Sequence, residues 1–157
     1  MSAKRVEVSR EIGCGAQRLY EMVSDVTRMG EWSPETTGAR WQGNATAAAV
    51  GAQFRGRNRR GLRKWSTKCT VTKATPGEVF AFKVTFGPVA VATWEYEFRA
   101  LSPDSTEVTE RWIDQRSRAF AKVTGIVIGV PNRAAHNRVG MESTLESLAK
   151  VAAAPAQ

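Results

Sequence analysis

From residue 37 to residue 115 the chain alternates apolar and polar side chains in short runs, and a turn signal closes each run: Gly43-Asn44, Arg60-Gly61, Pro76-Gly77, Gly87-Pro88 and Ser102-Pro103-Asp104. A period of two puts every second side chain on the same face of a strand, and turns this short send the chain back antiparallel. Six strands in hairpins are predicted here, with no helix between them. Val6, Val8 and Ile12, alternating with Glu7, Ser9 and Glu11, predict one more strand over about residues 4–13.

Two other stretches have a helical period. Leu19, Met22, Val23 and Val26 recur at spacings of three and four until Gly30 and Ser33-Pro34 interrupt them, which predicts two short helices joined by a kink. After Pro131, the residues Ala135, Val139, Leu145, Leu148 and Ala152 are expected along one side of a long helix, with Glu142, Glu146 and Lys150 elsewhere and a frayed end at AAAPAQ. The class is therefore α+β. A sheet that is wet on one face and apolar on the other must cover the apolar face, and the terminal helix is the sizeable element left to do so. With 157 residues, 42% of them hydrophobic, residues 1–157 are read as one domain with an ordered core over about 4–152.

Alternation also sorts the strand residues. Phe54, Gly56 and Asn58 share a face opposite Arg55, Arg57 and Arg59, while Trp65, Thr67, Cys69 and Val71 oppose Lys64, Ser66, Lys68 and Thr70. Later strands add Phe80, Phe82, Val84 and Phe86, then Trp94, Tyr96 and Phe98, then Val108, Glu110, Trp112 and Asp114 to the inner set. Glu110 and Asn58 are thus polar groups on an apolar face. A carboxylate buried without a partner costs several kcal/mol, so Glu110 must be hydrogen-bonded, raised in pKa, or turned toward a cavity. A structural ion pair with Arg10 or Arg63 is the competing role.

The formal net charge is +8, and FRGRNRRGLRK at 54–64 holds six of the cations. A positive field favours polyanions in general. Single-stranded nucleic acid, however, needs aromatic platforms among the cations, and here Phe54 and Trp65 point to the other face. Glu95 and Glu97 dilute the field further, so nucleic acid is disfavoured as a partner. AKVTGIVIGVP at 121–131 either packs against the sheet end or forms a lip over a cavity mouth. As a lip beside a basic surface it would suit peripheral contact with an anionic membrane. Cys14 and Cys69 match no metal or redox spacing and read as free thiols. The amino-terminal residues do not resemble a secretory signal, and no run of eighteen apolar residues occurs, so a cytoplasmic location is expected.

EWSPE at 31–35, Trp41, VGAQFRGRNRRGLRKWST at 50–67, PGEVFAF at 76–82, TWEYEF at 93–98, VTERW at 108–112 and NRAAHNRVGMESTL at 132–145 resemble the actinobacterial polyketide cyclase/dehydrase-like branch of the SRPBCC superfamily, relatives of START and Bet v 1 domains. The resemblance covers nearly the whole chain. It implies a helix-grip fold: a seven-stranded antiparallel sheet around a long C-terminal helix, enclosing a hydrophobic cavity for lipids, polyketides or other apolar molecules. Members range from carriers to aromatase/cyclases.

No nucleophile motif, phosphate loop or metal-ligand cluster is present, so no metal or other cofactor is expected. His136 is the single histidine, which excludes multi-histidine sites, and it reads as a helix-surface or hydrogen-bonded residue. The expected cavity wall comprises Trp32, Phe54, Asn58, Trp65, Phe82, Trp94, Tyr96, Glu110, Trp112, Met141 and Leu145. Binding an apolar small molecule asks no more than apolar walls and one or two polar anchors. An aromatase, cyclase or dehydratase would need Glu110 as general acid or base, with Tyr96 or Asn58 bonding a carbonyl or enolate.

Overall fold

The computed structural model describes residues 4–130 and 132–153. In chain order the elements are β1 (Arg5–Ile12), α1 (Ala16–Ser24), a 3-10 helix (Val26–Glu31), β2 (Thr36–Trp41), β3 (Gln53–Arg60), β4 (Arg63–Thr75), β5 (Val79–Phe86), β6 (Val89–Ser102), β7 (Ser105–Asp114), α2 (Arg118–Ile128) and α3 (Arg133–Ala153). The seven strands form one antiparallel sheet in the order β1-β7-β6-β5-β4-β3-β2. Strands β2 to β7 follow one another as the turn signals require. The exception is the step from β1 to β2, which crosses from one edge of the sheet to the other through α1 and the 3-10 helix. The result is the helix-grip architecture, with α3 lying along β1 and touching β7.

Alternation sets the two faces of the sheet. Phe54, Phe80, Val71 and Val108 are at most 1% exposed and share the core with Leu19, Val23 and Leu148 from the helices. Each such side chain contributes about 1.5–3 kcal/mol by burial. Edge-on ring contacts organise the core, with Phe54 and Phe82 at 5.1 Å between centroids and Tyr20 and Phe98 at 6.0 Å. Phe86 keeps its expected inner face and lines the cavity, yet it is 58% exposed because it stands at the very end of β5.

The buried stripe of α3 differs from the expected one. It comprises Asn137, Met141, Thr144, Leu145, Leu148 and Ala152, while Val139 is 67% exposed and Ala135 is exposed as well. Continuing the phase of Leu148 and Leu145 backwards by helical steps reaches Met141 and then Asn137. The apolar Val139 lies off that line. Pro131 and residues 154–157, the greater part of the expected frayed end, lie outside the described residues. Asn132 Oδ1 accepts from the backbone N–H of Ala135 at 3.1 Å and so caps the start of α3.

The 121–131 stretch lies largely in α2, a helix that its apolar pattern does not announce. The Ser117 hydroxyl caps it by accepting from the Phe120 N–H at 3.1 Å, and Gly129 ends it with φ of 79° in the left-handed region. A Cβ on Gly129 would stand 3.0 Å from Arg63 Nη1 and 3.2 Å from Arg60 Nη1. The tip of the β3–β4 hairpin therefore sets two guanidinium groups at the carbonyl end of α2, where the helix dipole favours positive charge.

The candidate ligand cavity

A cavity of about 430 Å³ lies between the inner face of the sheet, α2 and α3. Its wall is laid down strand by strand. Phe54, Gly56 and Asn58 come from β3; Trp65, Thr67 and Cys69 from β4; Phe82 and Val84 from β5; Trp94 and Tyr96 from β6; and Glu110 and Trp112 from β7. Trp32, at the end of the 3-10 helix, and Met141 of α3 complete the set expected from sequence. Leu145 is the exception. It is 2% exposed in the packed core and does not line the cavity, whereas Thr144, one residue before it and rotated about the helix axis, does. Gly56 lets the cavity approach the β3 backbone, with the Thr67 hydroxyl 3.5 Å from where a Cβ would stand.

The mouth is formed by α2. Phe120, Val123, Thr124 and Val127 line the cavity, yet Val123 and Val127 are 57% and 66% exposed and Ile126 is 72% exposed. The cavity thus reaches the surface along this helix. Leu62, at the tip of the β3–β4 hairpin, is 95% exposed beside Arg60 and Arg63.

At the opposite extreme of burial stands Glu110, 2% exposed. The register pairs it with Tyr96 across β6 and β7, and the Tyr96 hydroxyl donates to Glu110 Oε1 at 2.8 Å. Oε2 is buried with no hydrogen-bond partner among the described residues. Burial pushes the carboxyl up to about 8, against a smaller downward pull from the Tyr96 hydrogen bond. Burial, with the Glu110 carboxyl beside it, likewise raises the Tyr96 phenol well above its ordinary value. The pairing with Arg10 or Arg63 weighed from sequence does not form; Arg10 is on the exposed side of β1. Asn58, the other inner polar residue, accepts from the Thr36 hydroxyl at 3.0 Å.

Two charged clusters brace the rim. Arg116 clasps Asp114 with Nε to Oδ1 at 2.8 Å and Nη2 to Oδ2 at 2.9 Å, and its Nη1 donates to Thr124 of α2 at 2.9 Å. Both members are about 8% exposed. Burial works to raise the Asp114 carboxyl, but the hydrogen bonds from Arg116 outweigh it and hold the group below its ordinary value. In the second cluster Arg133 Nη1 donates to both Glu35 oxygens at 3.0 Å, and His136 Nε2 lies 2.9 Å from Glu35 Oε2. Glu35 was not singled out from sequence. The available signal was Arg133 and His136 three residues apart, on one helix face, with a carboxylate left over in EWSPE.

Cys69, although in the wall, is a poor nucleophile: burial pushes its thiol up to about 12, so the thiolate is scarce. Cys14 and Cys69 are both buried free thiols. Among the described residues no group of three or more His, Cys, Asp or Glu side chains could hold a metal ion, and no helix is long and apolar enough to cross a membrane. On the outer face Arg111 meets Glu7, Glu95 and Glu97 at 2.6–3.0 Å, and Lys73 meets Glu95 at 2.9 Å. Acidic partners thus break the positive field there, while Arg55, Arg57 and Arg59 remain exposed.

Residues 3–153 match the family model described as polyketide cyclase / dehydrase and lipid transport. The chain is similar to the solution NMR structure of a Polyketide_cyc-like protein from Corynebacterium glutamicum, at 28% identity and TM-score 0.63 over 95% of this chain and 91% of that one. It shares its fold with an aromatase/cyclase from a Streptomyces species, at 16% identity and TM-score 0.68 over 96% and 93% of the two chains. The same holds for a major latex-like protein of Panax ginseng, at 8% identity and TM-score 0.74 over 98% and 100%. No curated protein gives a significant match. A seven-stranded antiparallel sheet laid against a C-terminal helix, a family match over residues 3–153 and relatives of like fold lead to one conclusion: the chain belongs to the polyketide cyclase/dehydrase and lipid transport family.

Proposed function

We propose that the protein binds a hydrophobic small molecule in the cavity between its sheet and α3. The observation that carries this reading is a cavity of about 430 Å³ walled by Trp65, Phe82, Trp94 and Trp112, within the range of small-molecule sites. Packed cores fill such space at close to crystal density, so a void of this size, opening along α2, is a feature of binding rather than of stability. Native mass spectrometry of protein from its own cells, with titration of a fluorescent fatty acid and a polyaromatic dye, tests the reading. Co-purifying mass or saturable uptake is expected; an empty protein that takes up neither probe rejects it.

A second reading makes the same cavity an aromatase, cyclase or dehydratase site, and the observation favouring it is the Tyr96–Glu110 pair. A carboxyl held near neutrality by burial is suited to exchange a proton with a substrate. Turnover of a poly-β-keto thioester that Glu110→Gln abolishes while binding persists would establish it; equal turnover in the variant removes Glu110 from that role.

A further inference from the structure

We propose that Glu110 serves as a neutral hydrogen-bond donor, offering the proton on Oε2 to an uncharged oxygen acceptor, a ketone or related carbonyl, on the molecule the cavity holds. This rests on the cavity-binding reading and specifies the chemistry of the ligand.

Geometry assigns the proton. Oε1 already accepts from the Tyr96 hydroxyl at 2.8 Å, which makes it the carbonyl-like oxygen, and Oε2 is the atom with no partner among the described residues. A buried ionised carboxylate would demand a cation, and none bonds to it. Arg116 is occupied by Asp114 and Thr124, and Arg133 by Glu35. The other titratable residues facing the cavity are Tyr96 from β6, Cys69 from β4, Glu35 before β2 and His136 from α3; α1 and the 3-10 helix present Val23 and Met29. The acid therefore stays protonated, and burial favours that form.

A protonated carboxyl with a vacant O–H inside apolar walls is an unsatisfied donor, and leaving such a group unpaired is costly. A ligand that brings a carbonyl oxygen to Oε2 removes that cost. A hydrocarbon does not, and an ammonium ligand would have to lose its own hydration and ionise Glu110 as well. Selection by one buried donor is sharp because the penalty falls on every ligand that lacks the acceptor.

The test uses three naphthalenes of similar size, titrated into the full chain by calorimetry across neutral and alkaline pH: naphthyl methyl ketone, ethylnaphthalene and naphthylmethylamine. The ketone is expected to bind at least about tenfold more tightly than ethylnaphthalene. Its affinity should fall roughly tenfold for each pH unit above the Glu110 midpoint. Glu110→Gln keeps an amide donor and a carbonyl for Tyr96, so it should retain ketone binding with a flat pH profile. Every other titratable residue is still present in that variant, so flatness assigns the dependence to Glu110. The double variant Glu110→Met, Tyr96→Phe removes both partners together, avoids an orphaned hydroxyl, and should bind the ketone and ethylnaphthalene alike. Equal binding of these two by the native chain overturns the proposal while leaving the cavity reading intact. Preferential binding of the amine, strengthening as pH rises and lost in Glu110→Gln, overturns it in favour of an anionic site. Binding of none of the three overturns the proposal, and the cavity reading falls with it when the fatty-acid and dye probes fail as well.

Discussion

His136 and Glu35 stand 101 residues apart in sequence and 2.9 Å apart in space, joining the first turn of α3 to the segment before β2. Arg133 shares the same carboxylate, so one acidic side chain ties two cations of the helix to the rim of the cavity.

Removing that acid should loosen the rim. Glu35→Gln leaves Arg133 without its charged partner and is expected to cost about 1–2 kcal/mol of stability, since partly buried charged hydrogen bonds are worth about that much. Hydrogen exchange is expected to speed up at the start of α3 and not in β5 or β6. Uniform acceleration across the sheet would contradict a local latch.

The Asp114–Arg116 clasp is more deeply buried, so breaking it should cost more. Asp114→Asn is predicted to destabilise by about 3 kcal/mol, because the guanidinium stays buried without its counter-charge. The Arg116 link to Thr124 should weaken with it, and exchange protection of α2 is expected to drop first. In the native chain the folded-state pKa of Asp114 lies below its ordinary value of 3.8, so its contribution is present above that pH and is lost as pH falls through the folded value. Denaturant melts of the two proteins should converge at strongly acidic pH.

Glu110 carries the opposite sign. Its folded pKa is raised from 4.5 to about 8, so folded chains hold a proton that unfolded chains release between those values. Stability is therefore full below the unfolded pKa, declines as pH rises and levels off above the folded value, a loss on the order of a few kcal/mol. Glu110→Gln should abolish this decline. Urea melts of both proteins across that window check it, and parallel slopes would mean that the carboxyl ionises in the folded state at its ordinary pKa.

We further predict that the α2 surface contacts anionic membranes. Val123, Ile126 and Val127 are exposed at the cavity mouth, with Leu62, Arg60 and Arg63 at the adjoining hairpin tip. Apolar insertion beside cations suits an acidic headgroup layer. The protein should sediment with phosphatidylserine vesicles and not with purely zwitterionic ones. Added salt should weaken the binding, and Ile126→Asp should reduce it by about tenfold. Binding of the variant equal to that of the native chain would place the contact elsewhere.

Much of this architecture is legible in the chain because strand alternation is a local property. Phe54 and Asn58 must face the same way whatever the rest of the protein does, and so must Tyr96 and Trp94. The same rule placed Glu110 inside. It could not name the partner, because partnership depends on the strand register: Glu110 stands opposite Tyr96 in β6 and Val8 in β1, and neither Arg10 nor Arg63 approaches. Helical phase was less legible. On the inner face of α3 a polar Asn137 stands, while the apolar spacing alone points to Val139, because a helix that borders a cavity need not be apolar at every inward position. The α2 stretch gives no helical signal, since two glycines and a run of β-branched residues hide the helical period.

The order of the elements, the sidedness of the strands and the presence of an acid on the apolar face follow from the sequence alone, through side-chain period and turn chemistry. The cavity, the idle Oε2 of Glu110 and the Glu35 latch come from tertiary structure. They depend on which side chains meet across strand register and chain crossing, over a separation of 101 residues in the case of the latch, and no local pattern encodes that.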